Sequence, residues 1–234
     1  MTRVVLLRHG LTAMTGPVLA GRTPGVHLDD RGRAQADAVA ARLCKVKLAA
    51  LVSSPLERCQ ETATAVAAAT GLPITTEPRL IECGYGDWTG QELKKLAKDP
   101  LWKVVQSHPS GVTFPGAGGE SLRGAQARAV EAVRSWNAQL GPDAVWLACS
   151  HADIIKSVVA DALGVHLDEF QRIVIDPCSI TVIDYQPTRP FVVRVNDSGA
   201  DLATLLSQPT KARKGGRRAA SGSDAPVGGG AGPS

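Results

Sequence analysis

The stretch "VVLLRHG", Val4 to Gly10, decides how the rest of the chain reads. Four aliphatic residues in an unbroken run match a strand buried on both faces, the pattern of a parallel sheet. The run then meets Arg8, His9 and Gly10. In open α/β sheets ligands bind beyond the carboxyl ends of the strands. Arg8-His9-Gly10 is therefore either a strand reaching water or a reactive site at a strand's end, and the choice turns on what else arrives there.

Outward from this strand, apolar runs alternate with helical patterns. That alternation predicts an α/β fold with a mostly parallel central sheet and helices on both faces. "DDRGRAQADAVAARLCK" (29–45) reads as a helix, with Ala36, Val39, Ala40 and Leu43 at three- and four-residue spacing. "LAALVSS" (48–54) reads as the second strand. Ser54 then caps a helix, with Pro55 at its first position and Glu57 completing a capping box, and the helix runs to about Gly71. "PITTEPRL" (73–80) is a short strand.

Residues 82–120 are rich in glycine and hold one convincing helix, around "GQELKKLAKDP" (90–100). They read as an excursion over one end of the sheet, where long loops usually serve binding. The alternation resumes with a helix at 121–141, the strand "AVWLACS" (144–150) and a helix at 152–165. "SITVIDYQ" (179–186) and "FVVRVN" (191–196) close the domain as an antiparallel pair across "PTRP".

One domain, residues 1–205, and a basic, disordered tail, 206–234, are expected. The net charge is +4. Lys211, Arg213, Lys214, Arg217 and Arg218 against Asp224 account for all of it, so residues 1–207 are neutral. The tail has one valine and no aromatic residue and cannot build a core by itself. A neutral domain does not call for nucleic acid as a partner. No apolar run has the roughly 20 residues of a membrane span, and the N-terminus lacks a secretory cleavage pattern, so the cytoplasm is the expected compartment. Five cysteines without a CxxC pair point to reduced, packed thiols and to no cysteine-held metal.

Three polar positions share one sheet edge. His9 follows the first strand, Arg58 lies in the first turn after the second, and His151 follows "AVWLACS". Helix N-termini add positive dipole ends there. Two arginines and two histidines suit an anion, and the guanidinium fork matches phosphoryl oxygens.

These residues also carry a resemblance. "RHGLT", "LDDRGRAQA", "SSPLERCQETA", "RLIECGYGDWTG", "FPGAGGES" and "CSHAD" follow one another through residues 8–153. In that order, each at a strand end or helix start, they resemble the histidine phosphatase superfamily, the phosphoglycerate mutase-like proteins. The resemblance implies His9 as a nucleophile forming a phosphohistidine. It implies Arg8, Arg58 and His151 as ligands of the phosphoryl oxygens, and Glu82 as the proton donor to the leaving oxygen. Thr15, Gly21 and Arg22 fall where the family has substrate-touching loops. No metal or other cofactor is called for, and the expected partner is a small phosphorylated metabolite.

The chemistry is coherent on its own terms. Arginine charges absorb those of a phosphate dianion and disfavour protonation of His9, leaving a neutral imidazole to attack. A carboxyl of raised pKa can protonate the leaving oxygen. Glu77, Asp87 and Glu92 are local rivals of Glu82 for that task, while His27, His108 and His166 read as surface or loop residues. Departures from the family pattern bear on the substrate: Ala152 and Asp153 stand where glycine is usual, Thr15 where asparagine is common, and Ile81 where a polar residue precedes the glutamate. The covering stretch Glu82–Glu120 has only Lys94, Lys95, Lys98 and Lys103 as cations. Hydrolysis is therefore expected over phosphomutase action, with a catalytically silent phosphate-binding module as the alternative of another class.

Overall fold

The computed structural model describes residues 1–200 and 227–231. A six-stranded sheet has the order β3-β2-β4-β1-β5-β6. Its strands are β1 (Thr2–Arg8), β2 (Ala50–Ser53), β3 (Ile74–Thr76), β4 (Val145–Ser150), β5 (Ile180–Tyr185) and β6 (Pro190–Asp197). β3, β2, β4 and β1 are parallel, and β5 runs antiparallel to both β1 and β6. The mostly parallel α/β architecture follows the pattern of the sequence, including the antiparallel closing pair.

Alternation along the strands sends side chains to two separate cores. Val4 and Leu6 of β1, with Trp146 and Ala148 of β4, face α5 (Leu122–Leu140) and α6 (Ala152–Leu163). Val5, Leu7, Leu147 and Cys149 face the other way, onto α1 (Asp30–Leu43) and α2 (Glu57–Thr70). Leu6 and Leu7 are 1% and 0% exposed, so each contributes roughly 1.5–3 kcal/mol of burial. The aliphatic run of the N-terminus thus anchors β1 from both sides and fixes where His9 emerges. Among the described residues no helix is long and apolar enough to cross a membrane.

Local differences from the sequence reading have physical causes. α1 starts as expected, with Asp29 accepting from the Gly32 amide at 2.8 Å. α2 does not use Ser54 as its cap: the N-cap is Leu56, without a side-chain bond. The Ser54 hydroxyl is drawn instead to His151 (2.8 Å), and Glu57 accepts from the Gly25 amide. β3 stops at Thr76, because Glu77 caps a 3₁₀ turn at Pro78–Leu80. The excursion holds two helices, α3 (Leu93–Leu96) and α4 (Pro100–Ser107). α4 has the start signal Asp99-Pro100, with Asp99 accepting from the Leu101 amide, and it buries Trp102 and Val105.

Most of the expected solvated tail, 206–234, lies outside the described residues. Its described part, 227–231, packs on the domain, with Val227 only 2% exposed. One valine builds no core alone, but it can occupy a groove that the domain supplies.

Candidate active site

β1 and β4 are neighbours with Arg8 opposite Ser150, and the His9 amide donates to the Ser150 carbonyl at 3.0 Å. The residues beyond both strands therefore meet at one level of the sheet edge. The loop after His9 is pressed against the first turn of α1. A Cβ on Gly10 would stand 2.6 Å from the Gly32 carbonyl oxygen, and one on Gly32 would stand 2.0 Å from that of Leu11. Only two glycines permit this approach.

Arg8, His9, Arg58, Glu82 and His151 are all buried, none more than 6% exposed. His9 Nδ1 lies 2.7 Å from the Gly10 carbonyl oxygen. A carbonyl only accepts, so Nδ1 carries the proton and Nε2 keeps its lone pair. Arg58 Nε approaches that Nε2 at 3.3 Å. Burial, then the charges of Arg58 and Arg8, hold the His9 pKa well below its ordinary 6.5. The imidazole is therefore neutral over the physiological range.

Arg58 is fixed by Nη2, which donates to the Gly21 carbonyl at 2.7 Å and lies 3.2 Å from His151 Nδ1. Arg8 Nη1 donates to the carbonyls of Ile175 and Gly230, at 2.7 and 2.8 Å. One buried N–H on each arginine, Arg8 Nε and Arg58 Nη1, has no partner among the described residues. Buried donors of this kind are rarely left unpaired, and two charged ones beside a cavity fit an anion. His151 bonds through Nε2 to Ser54 Oγ, and its ring lies 5.2 Å from that of His9. A hydroxyl donates or accepts, but an arginine N–H only donates, so His151 Nδ1 accepts from Arg58 Nη2 and the ring proton sits on Nε2, donated to Ser54 Oγ.

Glu82 Oε1 accepts from the Cys83 amide at 2.9 Å, and Oε2 lies 4.0 Å from His151 Nδ1. Burial, reinforced by the nearby charge of Asp153, raises its pKa from 4.5 to about 7, against the pull of Arg58 and Arg8. Of the rival acids, none lines the cavity. Glu77 is gripped by Arg79, which lowers its pKa to about 2, while Asp87 and Glu92 are exposed.

The cavity encloses about 360 Å³ of empty space out to its mouth. Arg8, His9, Thr15, Gly21, Arg58 and Glu82 line it. His151 stands behind, against Arg58 and Glu82. Thr15 Oγ1 accepts from the Thr12 amide at 3.1 Å and so closes a turn at the cavity wall. Arg22 is placed differently from Thr15 and Gly21. Its Nε donates to the Glu82 carbonyl at 2.8 Å and its Nη2 pairs with Glu120, also at 2.8 Å, outside the lining.

Sequence reasoning missed Glu120 and Arg128. Arg128 donates to the Glu82 carbonyl at 3.1 Å and to Glu120 Oε1 at 2.7 Å. Arg22, Arg128 and Glu120 thus clamp the backbone of Glu82. The capping stretch "GES" placed Glu120 before a helix start, but nothing in its spacing tied it to Glu82. Asp153, singled out in the sequence for its departure from the family pattern, is held by bonds that the sequence does not reveal: Oδ2 accepts from the Tyr85 hydroxyl (2.8 Å) and the Gly228 amide (2.9 Å). Ala152, beside it, starts α6 in ordinary helical geometry. His27, His108 and His166 are exposed, away from the cavity. Cys59, Cys83 and Cys149 are buried free thiols, and burial raises the pKa of Cys83 and Cys149.

The family model of the histidine phosphatase superfamily, branch 1, matches residues 4–198. The chain belongs to that superfamily. It is 30% identical over 207 residues to phosphoserine phosphatase 1 of Hydrogenobacter thermophilus, covering 84% of this chain and 92% of the relative. A probable phosphoglycerate mutase of Yersinia pestis is 29% identical over 209 residues, covering 88% and 95%. Among solved structures, a mycobacterial glucosyl-3-phosphoglycerate phosphatase superposes with a TM-score of 0.73 at 26% identity, covering 83% of this histidine phosphatase chain and 98% of its own. The fold and the family expected from the sequence are therefore both found, in an enzyme of the phosphatase class.

Proposed function

We propose that the chain hydrolyses phosphomonoesters of small metabolites through a phosphohistidine on His9. One observation carries this reading. The Gly10 carbonyl keeps the His9 proton on Nδ1, so Nε2 presents a lone pair, met by Arg58 Nε at 3.3 Å, beside a cavity lined by two arginines that each keep one buried nitrogen unpartnered among the described residues. Nε2 attacks phosphorus, the P–O ester bond breaks, and the departing oxygen takes the Glu82 proton. Water then attacks the phosphohistidine and gives a proton to Glu82. The N–P bond breaks, its electron pair returns to Nε2, and phosphate leaves. Arg8 and Arg58 stabilise the equatorial oxygens, and His151 adds a third donor when Arg58 Nη2 turns to the phosphoryl group and the ring proton sits on Nδ1.

A pKa near 7 suits Glu82 to both halves of this cycle. Hydrolysis is favoured over phosphoryl return because Lys94, Lys95, Lys98 and Lys103 are exposed and off the cavity. Phosphoserine and glucosyl-3-phosphoglycerate head the substrate panel, since relatives are named for them.

The test is a denaturing quench during turnover, with mass spectrometry under alkaline conditions that preserve phosphohistidine. Phosphate is expected on His9 and none on the His9→Ala chain, which should also lose turnover. A His9→Ala chain that still hydrolyses the panel overturns the mechanism. Exchange of phosphate between positions of phosphoglycerate, without release to water, overturns the choice of hydrolysis. Binding without turnover or a trapped intermediate leaves a phosphate-binding module.

A further inference from the structure

The C-terminal glycine run does something that its composition conceals. Val227, Gly228 and Gly229 line the same cavity as Arg8, His9, Arg58 and Glu82. Val227 is buried in the core cluster that holds Leu19 and Tyr85. Gly228 donates its amide to Asp153, and Gly230 accepts from Arg8 Nη1. Backbone and chemistry are joined at both ends of this short strap.

The glycines are demanded by shape. Gly228 and Gly229 have φ of +73° and +79°, a region that disfavours side chains. A Cβ on Gly228 would meet Leu19 Cδ1 at 2.7 Å. One on Gly229 would meet Ala152 Cβ at 2.4 Å and Arg8 Cζ at 3.0 Å. Asp153 is 1% exposed, and its other oxygen lies 3.4 Å from Lys156 Nζ. A buried carboxylate so placed needs its donors, and the strap amide is one of them.

We propose that residues 227–231 form a substrate-selecting wall, latched to Asp153, that restricts the pocket to small phosphate esters. The strap closes the side of the cavity between Leu19 and Arg8, where the organic part of a larger ester would lie. Its Gly230 carbonyl also sets the plane of the Arg8 guanidinium. This rests on reading the cavity as a phosphoester site, so the test uses binding and not turnover.

Calorimetry with inorganic phosphate and with 1-naphthylphosphonate, which cannot be hydrolysed, compares the full-length chain with its Gly229→Val variant. The substitution changes no residue of the domain itself; its side chain meets Ala152 and Arg8 across the strap, so the strap must leave its seat, and the phosphate affinity reports any shift of Arg8. The affinity for naphthylphosphonate relative to phosphate should rise by about tenfold or more, the scale of steric discrimination in pockets. Hydrogen exchange should show the C-terminal peptide protected at Gly228 in the wild type and unprotected in Gly229→Val and Asp153→Ala. An unchanged affinity ratio overturns the proposal, as does a wild-type C-terminus that exchanges at the rate of an open chain. A chain that binds phosphate but forms no phosphohistidine refutes the hydrolytic mechanism instead, and the affinity ratio still decides the wall.

Discussion

Substituting Glu82 by glutamine replaces an ionisable carboxyl with a neutral amide of nearly the same shape. The amide oxygen can keep the Cys83 bond, and the NH₂ faces the His151 side. In the folded chain the carboxyl titrates at about 7 against an ordinary 4.5. A raised carboxyl pKa means that folding favours the protonated form. Its contribution is fully present below pH 4.5 and is lost as pH rises through about 7. One pH step is worth about 1.36 kcal/mol. The ionised Glu82 therefore costs the fold about 3 kcal/mol at pH 8 and under about 1 kcal/mol at pH 5.

Glu82→Gln removes that cost, so the variant should gain about 2–3 kcal/mol over wild type between pH 5 and pH 8. Urea denaturation at both pH values measures this, and comparing them cancels any fixed effect of the amide. Activity should move the other way. Phosphoserine hydrolysis should fall by roughly 10²–10⁴, and nitrophenyl phosphate, whose leaving group needs little protonation, far less. The wild-type rate should decline above about pH 7, as Glu82 loses its proton. A stability difference that is the same at pH 5 and pH 8 refutes the raised pKa. Equal losses on the two esters refute the acid role.

Arg58→Ala removes the Nε contact to His9 and the hold on Gly21. The His9 pKa should rise toward 6.5 because Arg58 is its largest charged perturber, a change visible in an NMR titration, while kcat falls by roughly 10²–10³. Gly32→Ala drives a methyl into the Leu11 carbonyl, which would stand 2.0 Å from it. It should cost about 1–3 kcal/mol in urea denaturation and lower kcat together with stability, because the loop that bears His9 must shift.

The fold was legible because β1 and β4 are doubly buried, which leaves an unbroken apolar run at each position, and because the helices keep their spacing. The convergence of the candidate site residues was legible for a related reason: Arg8, His9 and His151 sit at strand ends, and Arg58 lies in the first turn of a helix. What failed were local hydrogen bonds open to competition. Ser54 satisfies every rule for a helix cap, yet the imidazole of His151 is a partner from 97 residues away, and no local rule weighs it. α4 was hidden because its Asp99-Pro100 start lies in a glycine-rich stretch that reads as loop. The strap was hidden by composition, since a glycine run has no pattern of its own and gains meaning only against Ala152 and Arg8.

Burial, and after it Asp153, explains how a proton can wait on Glu82 beside two arginines. Arg58 and Arg8 both favour the ionised form of Glu82; burial opposes them most, and the charge of Asp153 adds to it. A bound phosphate would oppose them, but only after it has arrived. Asp153 supplies negative charge beforehand, so that together with burial Glu82 is held at about 7 in the free enzyme. That charge is itself buried, and Tyr85, Lys156 and the Gly228 amide are what steady it. The residue that helps to keep the proposed general acid protonated is thus also the proposed latch of the strap. Loss of the strap's amide would weaken the support of that charge, so the proposed wall and the proposed proton donor share one carboxylate.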